Sequence, residues 1–332
     1  MRTERSRSIP HVLLLAIVFC ACGESSSGTG DPLRVRVPVG AAFALVADSL
    51  AAKDIIGSPR LFRLYARFRG EATKIKPGTY EFRRESGWDH VLTELVAGNI
   101  VTERLVIPEG LRLEEIAERI AALADVDADS LAAALRDTSL VTRFAVPGPT
   151  LEGYLYPSTY TFPLDTETDV VVEHLIDTYH QIWTAERLAM ADSLGMTERQ
   201  VVTLASIIET EAVLPAEMPI ISAVYHNRLR IGMPLQADPT VQYALGGHRE
   251  RLLYADIDRV ADHPYNTYTQ RGLPPGPIAS PSERAIDAAL SPADVDFLYF
   301  VARPDGSHIF TRTLAEHNRA RAEVRRLQTS GS

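Results

Sequence analysis

The chain has 332 residues, 45% of them apolar and 23% charged, with a formal net charge of −9. That length exceeds one typical domain, and the ordinary composition excludes both a disordered chain and a polytopic membrane protein. The acidic balance excludes a general nucleic-acid binder, which needs a basic stripe to neutralise phosphates, and fits an uncharged or polysaccharide partner.

Arg2, Arg5 and Arg7 precede an apolar run from Val12 to Phe19, the order of a secretion signal. A spanning helix needs roughly 20 apolar residues, and this run reaches about half that before Gly23 and Glu24, so residues 1–22 are expected to be a processed segment. Cys20 and Cys22 are the only cysteines. No disulfide framework or thiolate metal site can therefore form in the rest of the chain. Residues 23–32, which include the run SSSGTGD, are expected to be a flexible tether.

Apolar and basic residues alternate from Leu33 to Val37, which predicts a strand, and a helical stretch follows from Ala41 to Ala52. Ser58-Pro59 supplies a cap and a proline at the first position of a second helix. Lys76-Pro77-Gly78 turns into a strand carrying Tyr80 and Phe82, then come a helix over Trp88 to Ala97 and a strand over Val101 to Ile107. A small α+β module is expected over residues 33–110. The Ala/Leu-rich amphipathic stretch Glu114 to Leu135 reads as a helical connector within 111–150. A second domain is expected over 151–326, with a tail at 327–332. It would hold a long helix from Asp169 to Leu194 closed at Gly195, then a helix started by a Thr197/Gln200 capping box and ended by Pro215. A further helix from Pro219 to Arg230 stops at Gly232, and Phe297 to Ala302 reads as a buried strand. Helices and strands mix without a βαβ repeat, so the class is α+β.

Glu209 and Glu211 both lie on the helix after Thr197. At about 100° per residue they point in different directions. Val201, Leu204, Ala205, Ile207 and Ile208 define the apolar face, and Glu211 falls within it while Glu209 lies off its centre. A carboxyl among aliphatic side chains loses hydration of its charged form and is tuned to deliver a proton near neutral pH. A glutamate paired with a base such as Arg228 is the alternative. Gln236 and Asp238 follow a glycine-terminated helix, where Asp238 is a second carboxylate, the cap of a helix beginning at Pro239 or Thr240, or both. Tyr265, Asn266, Thr267 and Tyr268 have the composition of a sugar-stacking loop, or of tyrosines covering a core. Tyr154, Tyr156 and Tyr160 either line a groove or furnish one face of a strand. No HExxH, GxSxG or P-loop occurs, so zinc, serine-hydrolase and ATPase chemistry lack their residues, no metal or cofactor is expected, and His226, His248, His263 and His308 read as structural.

Four blocks in order, Leu204-Ala-Ser-Ile-Ile-Glu-Thr-Glu211, Asn227-Arg-Leu-Arg-Ile-Gly-Met-Pro-Leu-Gln-Ala-Asp-Pro-Thr240, Tyr265-Asn-Thr-Tyr268 and Gly272-Leu-Pro-Pro-Gly-Pro-Ile-Ala279, resemble those of the YceG-like endolytic murein transglycosylases. Glu152-Gly-Tyr-Leu-Tyr-Pro157 and Leu298-Tyr-Phe-Val-Ala302, with His308 and His317-Asn318, extend the resemblance over nearly all of residues 33–325. It implies a lytic cut of the bond between N-acetylmuramic acid and N-acetylglucosamine within glycan strands, with Glu211 as the acid/base. Gln236 and Asp238 would bind sugar or position Glu211. Asn227, Thr240, Glu152, Tyr156 and the Tyr265–Tyr268 loop would contribute further substrate contacts. A muramidase-type hydrolase using Glu211 and Asp238 is the alternative, since hydrolysis uses two carboxylates about 5 Å or more apart. A non-catalytic peptidoglycan-binding scaffold is another. The N-terminal module resembles the sugar-binding LysM type in its strand and helix order. Phe19-Cys20-Ala21-Cys22 resembles a bacterial lipobox, which implies lipidation at Cys22 and an exported, membrane-anchored protein facing the periplasm, on either the inner or the outer membrane. Peptidoglycan strands, and peptidoglycan synthases beside them, are the partners the family implies.

Overall fold

The computed structural model describes residues 27–247, 249 and 252–330. The expected signal segment, with Cys20 and Cys22, lies outside these residues, as does His248. Among the described residues no helix is long and apolar enough to cross a membrane.

The chain divides into two compact units between Val101 and Thr102. The first runs β1 (Thr29–Val37), α1 (Phe43–Ala52), α2 (Pro59–Phe68), β2 (Gly78–Arg84) and α3 (Trp88–Ala97). β1 and β2 pair antiparallel with Val35 opposite Tyr80 and Leu33 opposite Phe82. This alternation turns one face of the ladder onto Val46 and Leu50 of α1, Phe62 of α2 and Leu92 and Leu95 of α3. The buried Tyr80 hydroxyl donates to the carbonyls of Lys76, at 2.8 Å, and Leu95, at 3.2 Å, tying the ladder to α3. Ser58 accepts from the Leu61 amide and starts α2, as its place before Pro59 predicts. The tether expected over 23–32 is already strand from Thr29.

The second unit runs β3 (Thr102–Val106), α4 (Leu113–Ala124), α5 (Ala128–Leu135), α6 (Ser139–Arg143), β4 (Thr159–Pro163), α7 (Thr168–Ile182), α8 (Ala185–Ser193), α9 (Glu198–Glu211), a 3-10 turn Pro215–Glu217, α10 (Met218–Arg230), α11 (Asp238–Ala244), α12 (Tyr254–Arg259), α13 (Glu283–Leu290), β5 (Tyr299–Ala302), β6 (His308–Thr311) and α14 (Leu314–Ser330). β3 pairs antiparallel with β4, Leu105 opposite Tyr160. That pairing draws residues 102–110 into the second unit and moves the expected boundary at 110 back to Thr102. The expected connector helix is two helices, broken where Asp125 turns left-handed at φ 52°. The expected helix over 169–194 is also two, because Thr184 caps a fresh start at α8. Gly195 takes φ 66° at the end, as expected. β5 pairs with β6 and is half-exposed rather than buried. The tail expected from residue 327 continues α14 to Ser330.

One core joins β3, β4, α4, α5 and α7, and another joins α9, α10 and α13, with Phe300 and Phe310 packed against it. α9 belongs to both: Val202 faces the first core, and Val201, Leu204, Ala205, Ile207 and Ile208 the second. Every residue from Val201 to Ile208 is buried, the mark of a helix enclosed on all sides rather than amphipathic. Truncating one of these aliphatics costs about 2–5 kcal/mol. Loops are pinned to this helix. The Ser206 hydroxyl accepts from the Ile278 amide at 3.1 Å. Gly153, at φ 83°, lies so close to Pro277 that a Cβ would sit 2.4 Å from the proline Cβ.

Candidate active site

Glu211 is the last residue of α9 and keeps partial access to solvent, where the preceding turns are sealed. The chain leaves the helix at Ala212, in extended conformation, before reaching Pro215. Tyr225 of α10, fully buried, donates its hydroxyl to Oε1 of Glu211 at 3.2 Å. Burial pushes the Glu211 carboxyl up to about 8, and the charge of Asp238 adds to the rise; the Tyr225 hydrogen bond and the Arg228 guanidinium pull it partly back. The negative end of α9 opposes a carboxylate in the same sense. Near neutral pH the Glu211 carboxyl therefore favours its protonated form, on a residue that is partly open to solvent.

Arg228, the alternative partner, donates instead to the carbonyls of Leu298, at 2.7 Å, and Leu235, with its guanidinium 5.4 Å from the Tyr299 ring centre. Glu209 has a different task. Its Oε2 accepts from the Ser282 amide at 2.9 Å and from the Ser282 hydroxyl, which itself caps α13. The two glutamates are therefore separated by their partners as well as by helical phase.

Asp238 is the first residue of α11, and the cap position expected for it is held by Ala237. Its Oδ1 accepts from the Tyr268 hydroxyl at 2.5 Å. A buried knot holds this arrangement. The Gln236 amide donates to the Thr267 carbonyl at 3.0 Å, and the Ala237 amide donates to Thr267 Oγ1 at 3.0 Å. The Thr240 and Thr267 hydroxyls lie 2.9 Å apart. Gln236 sits at φ 50°, a conformation costly for a residue with a Cβ, and its side chain is exposed.

Several expected sugar contacts are corrected. Thr240, Asn266 and Thr267 are sealed, and their polar groups are spent inside the protein. Asn266 donates to the carbonyls of Ile257 and Val260 and accepts from the Tyr268 amide, each at 3.0 Å. Asn227 is likewise buried, donating to the carbonyls of Val295 and Phe297. Glu152 is 3% exposed and accepts from the Leu113 amide at 3.0 Å. Burial, with the charge of Glu114 adding, pushes it up to about 8, against the pull of the Leu113 N–H and Arg112. Tyr154 and Tyr160 belong to the core, and Tyr160 donates to the carbonyl of Tyr156, which is half-buried. Tyr265 is half-buried with its ring 4.8 Å from that of Tyr243. Of the polar residues expected at the site, Gln236 and Asp238 are exposed and Tyr156, Tyr265 and Tyr268 half-buried, and of these Asp238 and Tyr268 lie close enough to Glu211 to interact with its charge. Tyr225 was missed, because an aromatic on an apolar helix reads as core. Of the histidines expected to be structural and lying within the described residues, His226 pairs with the Ala289 carbonyl, His263 accepts from the Tyr265 amide, and His308 pairs with Glu217.

A groove of 810 Å³ opens beside Thr210 and Pro239, the neighbours of Glu211 and Asp238, and is lined also by Arg112, Glu114 and Tyr243. A larger cavity of 1390 Å³ runs along Arg199, Gln200 and Thr203, about 12 Å or more up the axis of α9 from the acid. Proximity to Glu211 favours the smaller one. Among the described residues no group of His, Cys, Asp and Glu is placed to hold a metal ion.

Fold and site together define an α+β protein in which a carboxyl with a raised proton affinity, on a residue partly open to solvent, lies near a second carboxyl held by Tyr268. Residues 35–323 match the model of the YceG-like family, and the chain belongs to that family. It is 33% identical over 308 residues to the endolytic murein transglycosylase of Bacillus subtilis (strain 168), an alignment covering 87% of this chain and 84% of that protein. It is 27% identical to a protein of the same name in Streptococcus pneumoniae (strain D39), covering 88% of this chain and 58% of that longer relative. The 2.6 Å crystal structure of a YceG-like protein from Listeria monocytogenes superposes with a TM-score of 0.60 at 32% identity, covering 87% of this chain and 98% of that one.

Proposed function

We propose that this protein is an endolytic peptidoglycan lytic transglycosylase that cuts the N-acetylmuramic acid to N-acetylglucosamine bond within glycan strands and leaves 1,6-anhydro-muramoyl ends. The observation that carries this reading is the state of Glu211, protonated near neutral pH, partly open to solvent and oriented by Tyr225. The names of the homologous enzymes support the substrate. Glu211 gives its proton to the glycosidic oxygen as the C1–O bond breaks. The resulting carboxylate takes the proton of the muramoyl 6-hydroxyl as that oxygen closes on C1. One carboxyl serves both steps, the proton is returned and no water is consumed. Asp238, held by Tyr268, is the negative neighbour that keeps the proton on Glu211, and Gln236, Asp238 and Tyr268 are the accessible groups that meet sugar.

The β1-α1-α2-β2 order with which the first unit begins supports a LysM-like role in holding glycan. Lipidation of Cys22 would anchor the exported protein at a membrane facing the periplasm, beside the synthases whose nascent strands it terminates. The test is digestion of intact glycan strands by the purified protein. Anhydro-muramoyl ends are expected, and Glu211→Gln is expected to abolish them without lowering Tm. Reducing ends, one water heavier, would replace the lytic reading with hydrolysis by Glu211 and Asp238. Binding without cleavage at any pH would leave a scaffold.

A further inference from the structure

We infer that the 810 Å³ groove beside Thr210 and Pro239 is a subsite for the carboxylates of the stem peptide, with the Arg112 guanidinium as its recognition group. This rests on the peptidoglycan-cutting reading above and names the part of the substrate that the glycosidic bond leaves unaddressed. In a peptide-substituted strand the sugars carry no charge. The charges sit on the peptide, which hangs from the lactyl group of the muramoyl residue whose bond is cut. A charged groove that begins one residue from Glu211 and one from Asp238 therefore meets the only charged part of that substrate within reach of the acid.

The groove is lined by two arginines and two glutamates, and their partners differ. Glu114 is paired with Arg136. Glu115 accepts from the backbone amide of Arg112 at 2.8 Å. The Arg112 side chain, by contrast, has no salt bridge or hydrogen bond among the described residues, and it is held by stacking 5.5 Å from the ring centre of Tyr243. Glu152, its buried electrostatic neighbour, is protonated near neutral pH and closed to solvent, so it supplies no full counter-charge. A half-buried guanidinium, already oriented by an aromatic face, loses little freedom when a carboxylate docks on its planar fork. A neutral sugar would leave that fork unmatched.

The test compares wild type and Arg112→Gln on glycan strands with intact stem peptides and on the same strands after their peptide carboxylates are converted to amides. Wild type is expected to lose about tenfold in kcat/KM on the amidated strands, as for one charge-assisted hydrogen-bonded contact. Arg112→Gln is expected to show the lower rate on both. Arg112→Lys, which keeps the charge without the fork, is expected to fall between them, with the variants' Tm confirming that each is folded. Equal wild-type rates on the two strands, or an Arg112→Gln loss of the same size on both, overturn the subsite. If wild type cuts neither strand, the enzymatic reading itself fails, and the subsite with it.

Discussion

The Tyr225 hydroxyl reaches Oε1 of Glu211 at 3.2 Å from inside the core, while its ring packs edge-on against Phe300 at 5.9 Å. The contact couples helix packing to chemistry. It engages one of the two carboxyl oxygens.

Tyr225→Phe keeps the packing and deletes the hydrogen bond. That bond favours the charged carboxylate, so its loss raises the proton affinity of Glu211 above the present value of about 8. The basic limb of the kcat/KM profile is expected to move to higher pH, and kcat to fall about tenfold as the carboxyl loses its orientation. An unmoved limb would remove Tyr225 from the mechanism.

Asp238→Asn acts with the opposite sign. Asp238 raises the Glu211 value through its charge, so neutralising it is expected to move the same limb to lower pH. The products are expected to keep anhydro ends. A switch in limb direction between the two variants, measured on one substrate, separates electrostatic from merely structural effects.

Glu152 and Glu211 make stability depend on pH. Each has an ordinary value of 4.5 and a folded value of about 8. Between these the folded state holds protons that the unfolded chain has released, so stability is greatest below about 4.5 from these groups and is lost as pH rises toward 8. Glu152→Gln keeps the acceptor for the Leu113 amide and cannot ionise. Scanning calorimetry is expected to show a shallower fall in Tm between pH 5 and 8 than in wild type, and an identical slope would mean that Glu152 does not hold its proton.

Gly153→Ala combines a left-handed backbone with a Cβ 2.4 Å from Pro277. A loss of about 2 kcal/mol or more in urea unfolding is expected. A neutral outcome would show that the loop carrying Pro277 yields freely.

Much of this was legible in order along the chain. The Ser58 and Thr184 positions show the limit of that legibility, since both cap helices, yet only the first is marked by a following proline and the second sits inside a continuous helical pattern. Thr267 and Asn266 read as sugar ligands because their composition suits sugars, and composition does not reveal that their polar groups are consumed by Ala237, Thr240, Ile257 and Val260. Arg112 carried no signal at all, since an arginine before a helix is ordinary until its partners are known.

By itself the sequence determined the α+β class, the start of α2 at Ser58 and of α9 at Thr197, and the different helical phases of Glu209 and Glu211, because caps and helical phase act between residues a few positions apart. The tertiary structure alone decided that the unit boundary falls at Thr102, that Tyr225 orients the acid, that Thr267 sets Asp238 and that Glu152 is sealed. Those depend on which distant segments bury each other's polar groups, and desolvation and hydrogen-bond partnership are properties of the packed neighbourhood rather than of the residue.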